Sequence, residues 1–388
     1  MAAVAIAVSF LVIIVAVAVS SGFRHAIREG LADMAGDVRI TPYVTGDDEP
    51  VPMPLHLPSE EAILALPGVK SIQPSVVRAG IVKNGDLVHG VVVKGIPGQA
   101  GDDVADASVM ADVSVMADAD RPSLAVSIPH RLSEITGLRV GDDLVTYFVG
   151  EKVRVRKFHI TQVHRDILEL DDNLLVYASL EDMQRLNGWG ADEVSCLDVR
   201  IRNASREASR SVASDIGMIL MSSGHEEEQG LYVGSSAQTY PQVFDWLDLL
   251  DFNVVIILIL MTVVAGFNMV SGLLIMLLRN IPLIGTLKTL GMSDRAVGRL
   301  FVRVGAAAVL KGMLAGNALA FLFCLVQGST HLIPLDPANY FVSWVPVHLP
   351  VGGILLADAA AFAGILALLW LPTLFIARID PAQTVKAD

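Results

Sequence analysis

The sequence predicts an α-helical membrane protein with four transmembrane helices and one large α+β domain inserted between the first and second of them. Three observations carry that expectation. Apolar residues make up 53% of the 388 and charged residues only 18%, too greasy a balance for an ordinary soluble enzyme. Four uninterrupted apolar runs reach the ~20 helical residues that the hydrocarbon core of a bilayer requires. Between the first two runs the composition turns polar, with strand-like alternation and frequent Gly and Pro.

The first transmembrane helix is placed at residues 1–22, on a run from Ala3 to Ser20 built almost wholly of Ala, Val, Ile, Leu and Phe. It lacks the basic start and the small-residue cleavage site of a signal peptide, so it is expected to stay as an uncleaved span. Residues 23–249 form the external domain. In PSEEAILALPGVKSIQPSVV, Ser59 is placed to cap a short helix that Pro67 and Gly68 end. The Asn84-Gly85 pair in GIVKNGDLVHGVVVKGI lies between alternating strands, the strongest short hairpin signal. An acidic, partly repeated insert, DASVMADVSVMAD (106–118), precedes a second strand-rich block at approximately 120–195, where Ser179 caps a helix. The strand-then-helix pattern that follows returns to complete the first block, giving two subdomains, the second inserted in the first. Beyond it come the second helix (250–278), a helical turn (279–299), the third helix (300–327), an external loop (328–350), the fourth helix (351–376) and a tail (377–388).

Orientation follows from Lys and Arg near the spans, which favour the cytoplasm. The 279–299 turn and the start of the third helix carry Arg279, Lys288, Arg295, Arg299 and Arg303 against one acid, Asp294. Asp245, Asp248 and Asp251 precede the second span, and 328–350 holds no Lys or Arg. The turn and tail are therefore inside, and the large domain outside. Arg24 and Arg28 argue the other way locally, but long translocated domains tolerate such charges.

Enzymatic chemistry has little to stand on. His159 and His164, five apart in one strand, point to opposite faces and do not suit a shared metal. Glu226, Glu227 and Glu228 read as a solvated run. The sequence has no nucleophile elbow, no HExxH and no P-loop, so ATP cannot be held by a P-loop of this chain. Cys196 and Cys324 lie in soluble-looking and membrane contexts and are not expected to pair.

The turn carries a more specific signal. Leu283, Leu287 and Leu290 recur at i, i+4 and i+7 with Ile284 beside them, Gly291 is placed to end the helix and Ser293 to cap the next. Such a stripe suits either the lipid headgroup region or a groove in a cytoplasmic partner.

The run VVAGFNMVSGLLIMLLRNIPLIGTLKTLGMSDRAVGRLFV resembles the signature of the FtsX-like permease family, the membrane subunits of type VII ABC transporters. The likeness extends to YPQVFDWLDLLDFNVVIILILM, KGMLAGNALAFLFCLVQ, LDPANYFVSWVPVHLP and IDPAQTVKAD, and touches LPGVKSIQP and LRVGDDLVTYFV in the external domain. In detail it resembles the lipoprotein-releasing, Lol-type members more than the macrolide exporters. The resemblance implies a multi-pass protein of the inner membrane of a Gram-negative bacterium, with no cofactor of its own. Two copies of a cytoplasmic ATPase subunit would bind the ATP, gripping a coupling helix whose matching residues here are Ile281, Leu283, Ile284, Leu287, Lys288, Leu290 and Gly291. It also implies a second permease subunit, identical or a paralogue, a lipoprotein substrate and a periplasmic lipoprotein carrier. Alternatives within the family are a mechanotransmitter acting on a periplasmic adaptor or hydrolase; a membrane sensor without transport is a reading of another class. The basic cytoplasmic helix usual before the first span is not seen, and the insert has no family counterpart, which leaves the carrier-docking loop unassigned.

Inside the spans, Lys311 and Asp358 each cost about 2.5–3.5 kcal/mol if unpartnered, and their placement near mid-membrane allows an ion pair or a role in gating. Gly312 and Gly316 form a close-packing step, the alternative being a path for a lipid anchor. Asn268 on the second span is a candidate for lining such a path.

Overall fold

A computed structural model describes residues 2–43, 49–85, 87–98, 124–150, 152–164, 174–202, 205–336, 340, 342 and 344–376. It forms two compact units, Met1–His25 with Asp245–Pro334 and Trp344–Asp388, and Ala26–Phe244 with Leu335–Ser343. The insert at 106–118 and the tail at 377–388 lie outside the described residues.

The first unit takes in α1 (Ala2–Ala35) as far as His25, α7 (Pro241–Arg279) from Asp245 onward, α8 (Ile281–Thr289), α9 (Asp294–Thr330) and α10 (Val351–Ile376). Four of these, all but α8, are long and apolar enough to cross a membrane. Several outrun the apolar stretches that located them. α1 runs 34 residues and α7 39, against expected spans of 1–22 and 250–278, because FRHAIREGLADMA and PQVFDWLDLLDF continue the helix with no interior proline. A proline at the first position of α7 suits a helix start. α9 likewise starts at Asp294, not 300. Ser293 occupies its cap position, but the hydroxyl makes no capping bond. Arg24 forms an ion pair with Asp251, which also accepts from Ser20 Oγ at 3.2 Å, so the first of the two arginines that follow the apolar run is neutralised by an acid of α7.

Helix contacts are set by size. Ile6, Phe10 and Ile13 pack with Met269, Leu273, Val309, Ala361 and Ile365 in one buried cluster. A Cβ on Gly316 would lie 2.4 Å from the main-chain oxygen of Ala7, and one on Gly266 would lie 2.2 Å from Leu368 Cδ1. At Gly316 the neighbour is backbone and only glycine fits; at Gly266 it is the end of a side chain, which can shift.

The second unit holds, in chain order, β1 (Val38–Pro42), β2 (Met53–Pro54), α2 (Glu60–Leu64), β3 (Val69–Asn84), β4 (Leu87–Ile96), β5 (Ala125–Pro129), α3 (His130–Thr136), β6 (Asp143–Phe148), β7 (Arg154–His164), β8 (Leu174–Ser179), α4 (Leu180–Asn187), β9 (Glu193–Val194), β10 (Cys196–Ile201), α5 (Arg206–Ser223), a 3-10 turn (Glu226–Glu228), β11 (Leu231–Ser235) and α6 (Ser236–Thr239). One sheet runs β11-β1-β10-β3-β4-β8-β5-β7-β6, and β6 pairs β3 as well. Strands β3, β4, β8, β5, β7 and β6 therefore close on themselves, with Val82, Val93, Val126, Leu144, Phe158 and Val176 among their buried residues. The long β3 joins the two blocks: Val69–Ser75 pair with β10, while Val76–Asn84 pair with β4. The division consequently falls within β3, not at residue 120 as expected, because a single 16-residue strand serves both blocks of the one sheet.

Two local expectations are corrected. Ser59 precedes α2 without capping it; its amide and hydroxyl both donate to Glu228 at 2.8 Å. Glu228 is thus a buried tie and not part of a solvated run. Burial opposes its charge, but hydrogen bonds from Ser223 and Ser59 outweigh that and hold the carboxyl below its ordinary value. Ser179 does cap α4, accepting from the Asp182 amide at 3.1 Å.

Candidate functional site

α8 is a short helix with a defined end. Pro282 sits in its first turn, where no donor is missed. At the other end the Gly291 amide donates to the Lys288 carbonyl and the Met292 amide to Leu287, both at 3.0 Å, the paired bonds of a Schellman motif. That motif needs a left-handed residue, and Gly291 supplies it at φ +89°.

The helix presents two faces. Leu283 and Leu290 are 54% and 80% exposed, with Leu287 half-buried between them and Ile281 half-buried at the start. Ile284 is 0% exposed and packs into the cluster of Leu277, Val297 and Phe301. Grouping Ile284 with the outward residues is therefore corrected: one step of 100° beyond Leu283 turns it inward. Lys288, off the stripe, has a largely buried side chain, and its ammonium lies 2.8 Å from Asp294 at the start of α9. It fastens the turn between two helices, near an N-terminus where the acid is favoured.

The polar residues of the spans are not arranged as expected. Asp358 accepts from Asn317 Nδ2 at 2.5 Å, and among the described residues neither Asp358 nor Lys311 has an ion-pair partner. Lys311 precedes Asn317 by six residues, about 120° around α9 and ~9 Å along it, so the face that meets Asp358 is not the face that carries Lys311. Gly312 and Gly316 are buried, Gly316 against α1. Asn268 lies beside Phe267 on an exposed face of α7.

A further cluster went unrecognised in the sequence. The helix α1 ends at Gly36, left-handed at φ +67°, and its last carbonyls need donors. Lys94 Nζ on β4 donates to the main-chain oxygens of Asp33 at 2.8 Å and Met34 at 3.1 Å. Arg39 on β1 donates to Met34 at 3.1 Å. Both cations meet the buried Asp198 of β10, Arg39 Nε at 2.7 Å and Lys94 Nζ at 2.8 Å, and Ser75 Oγ adds a bond at 3.0 Å. Burial opposes the charge on Asp198, but Arg39 and Lys94 outweigh it and hold the carboxyl well below the usual carboxylate range. Beside it Asp37, accepting from the Ile201 amide at 2.7 Å, is pushed up to about 6 by burial, which that bond and Arg28 only partly offset. The Asp37 carbonyl accepts from Ser236, and Val38 pairs with Ser235. The strand leaving α1 is thus stitched to the strand that leads through α6 into α7. Four residues widely separated in sequence make this anchor, so no local pattern announced it.

Comparison with known proteins fits this architecture. The FtsX-like permease C-terminal family matches residues 255–381, and the MacB-like periplasmic core domain matches residues 1–217, more than half of the chain. The lipoprotein-releasing system transmembrane protein LolE of Haemophilus influenzae is 23% identical over 407 residues, covering 99% of this chain and 93% of that protein. LolC of Xylella fastidiosa is 23% identical over 409 residues, covering 99% and 92%, and LolC of Neisseria meningitidis is 21% identical over 403, covering 99% and 92%. Among solved structures, the periplasmic region of MacB from Actinobacillus actinomycetemcomitans matches with a TM-score of 0.32 and 13% identity over 55% of this chain and 95% of that one. The extracellular domain of the noncanonic ABC-type transporter YknZ from Gram-positive bacteria matches with a TM-score of 0.30 and 12% identity over 51% and 99%. With its four apolar spans and the matches to the two family models, at residues 1–217 and 255–381, the chain belongs to the FtsX-like permeases with a MacB-like periplasmic core, as a multi-pass inner-membrane permease subunit of an ABC transporter.

Proposed function

We propose that this permease releases lipoproteins from the inner membrane, driven by a separate cytoplasmic ATPase. The observation that carries the reading is the likeness, over 99% of this chain, to transmembrane proteins of lipoprotein-releasing systems. Leu283 and Leu290, exposed on a helix locked at both ends, are the surface offered to the ATPase groove; Leu287 and Ile281 flank it, and Lys288 and Gly291 hold its shape. Two ATPase copies and a second permease subunit, like or paralogous, complete the assembly. ATP is bound by the partner, and this chain makes and breaks no bond.

α1 and α7 are the elements suited to carry the motion outward. Each continues as helix past its apolar run, and their outer ends feed the neighbouring strands β1 and β11. The Lys94–Asp198–Arg39 anchor makes the end of α1 move with the sheet. Asn268 and Phe267, on the exposed face of α7, would line the path of the lipid anchor, and a periplasmic carrier would receive the product. Depleting the protein in its own cell and following triacylated lipoproteins tests the reading. Retention in the inner membrane is expected. Normal arrival at the outer membrane would discard release in favour of a mechanotransmitter acting on a periplasmic adaptor or hydrolase.

A further inference from the structure

Asp358 and Asn317 meet inside the bundle with their hydrogen bonding incomplete. Asp358 is 7% exposed. Asn317 Nδ2 donates to its Oδ2, yet among the described residues Asp358 Oδ1 and Asn317 Oδ1, both buried, have no partner. The neighbours of Asp358 on its own helix are apolar, with Ala357 and Ala361 fully or nearly buried. Among the described residues no cation faces it, and Lys311 lies on another side of α9. An ionised carboxylate here would be a buried charge held by one neutral donor, an arrangement that apolar surroundings penalise heavily.

The deficit has a particular form. One acceptor is unsatisfied on each side chain. A neutral carboxylic acid has one O–H donor besides its acceptor oxygen, and a primary amide pairs a donor with an acceptor. A single proton on Asp358 Oδ1, donated to Asn317 Oδ1, supplies both missing bonds and removes the charge. We propose that Asp358 is a proton-binding site, neutral in this state and closed into an acid–amide ring with Asn317 that ties α10 to α9. The proton comes from solvent and returns to it, and no other group changes. Losing it would restore both the charge and the unpaired acceptors, leaving the two helices joined here by the Asn317 Nδ2–Asp358 Oδ2 bond alone. The inference is independent of what the permease transports.

Infrared difference spectroscopy on the full chain in lipid nanodiscs at neutral pH tests it, with wild type compared to Asp358→Asn. The expected result is one protonated-acid carbonyl band in the wild type that the variant lacks, unmoved when sodium is exchanged or divalent cations are chelated. Loss of a carboxylate band instead, or a band that responds to cations, would show an ionised Asp358 or a bound cation and overturn the proposal. Asn317→Ala provides a second reading should Asp358→Asn fail to fold. The acid carbonyl loses its donor, so its band should shift to higher frequency, and a band left unmoved would contradict the ring.

Discussion

Lys94 Nζ lies 2.8 Å from the main-chain oxygen of Asp33, two residues before the end of the first helix at Ala35, while its charge is met by Asp198 at the same distance. A helix that runs out of the membrane segment is thereby seated on the sheet through buried, charge-assisted bonds, stronger than neutral ones.

Removing the acid should be far worse than removing the lysine. Asp198→Ala leaves Arg39 and Lys94 buried without their counter-charge, a loss of about 3–5 kcal/mol. Lys94→Met leaves Asp198 paired with Arg39 and strips donors from two carbonyls, about 1–3 kcal/mol. Denaturant unfolding of the purified protein in detergent measures both. Equal losses would mean that the cations are not held as a set.

Asp37 gives a pH signature. Its folded value, about 6, lies above the ordinary 3.8, so the folded state binds the proton more tightly. Its contribution is fully present below 3.8 and is lost as pH rises through about 6. Asp37→Asn keeps an acceptor for the Ile201 amide without the charge. The variant should match the wild type near pH 3.8 and exceed it by about 3 kcal/mol above pH ~7. His164, lowered to about 4 by burial, acts in the opposite sense but is common to both proteins, so it cancels in the difference. A pH-independent gap would contradict the assignment.

Gly316 should tolerate nothing larger. An added Cβ would press on the Ala7 carbonyl, a backbone atom that cannot swing aside, so Gly316→Ala should cost about 1–3 kcal/mol. Gly352, with nothing within 4 Å of an added Cβ, serves as the neutral comparison. Thermal melting in detergent distinguishes them, and equal melting would remove the close α1–α9 contact.

Much of this was legible because a bilayer enforces simple rules. The four spans, their order, the domain between them and the apolar stripe of α8 follow from run length, charge placement and helical spacing. The helix ends did not, since FRHAIREGLADMA is polar yet helical and hydropathy is blind to it. Periodicity marked Leu283 and Leu290 but could not separate Ile284, one residue on, which the bundle buries. The Asp358 partner was not legible because charge complementarity points to a cation, whereas the packing of α9 and α10 selects an amide. The Lys94, Asp198 and Arg39 anchor depends on β10 returning between β1 and β3, a long-range register that no short motif encodes.

The central claim is that α8 is the handle of an ATPase. Affinity purification of the tagged protein from its own cell, in wild-type form and as Leu283→Asp/Leu290→Asp, with the copurifying P-loop ATPase quantified, tests it most directly. Met221→Asp, an exposed apolar residue of α5, serves as the control. The account predicts that the ATPase copurifies with the wild type and the control, and that at least nine-tenths of it is lost from the double variant, about 1.4 kcal/mol of binding or more. An ATPase that stays bound to the double variant in full amount would contradict it.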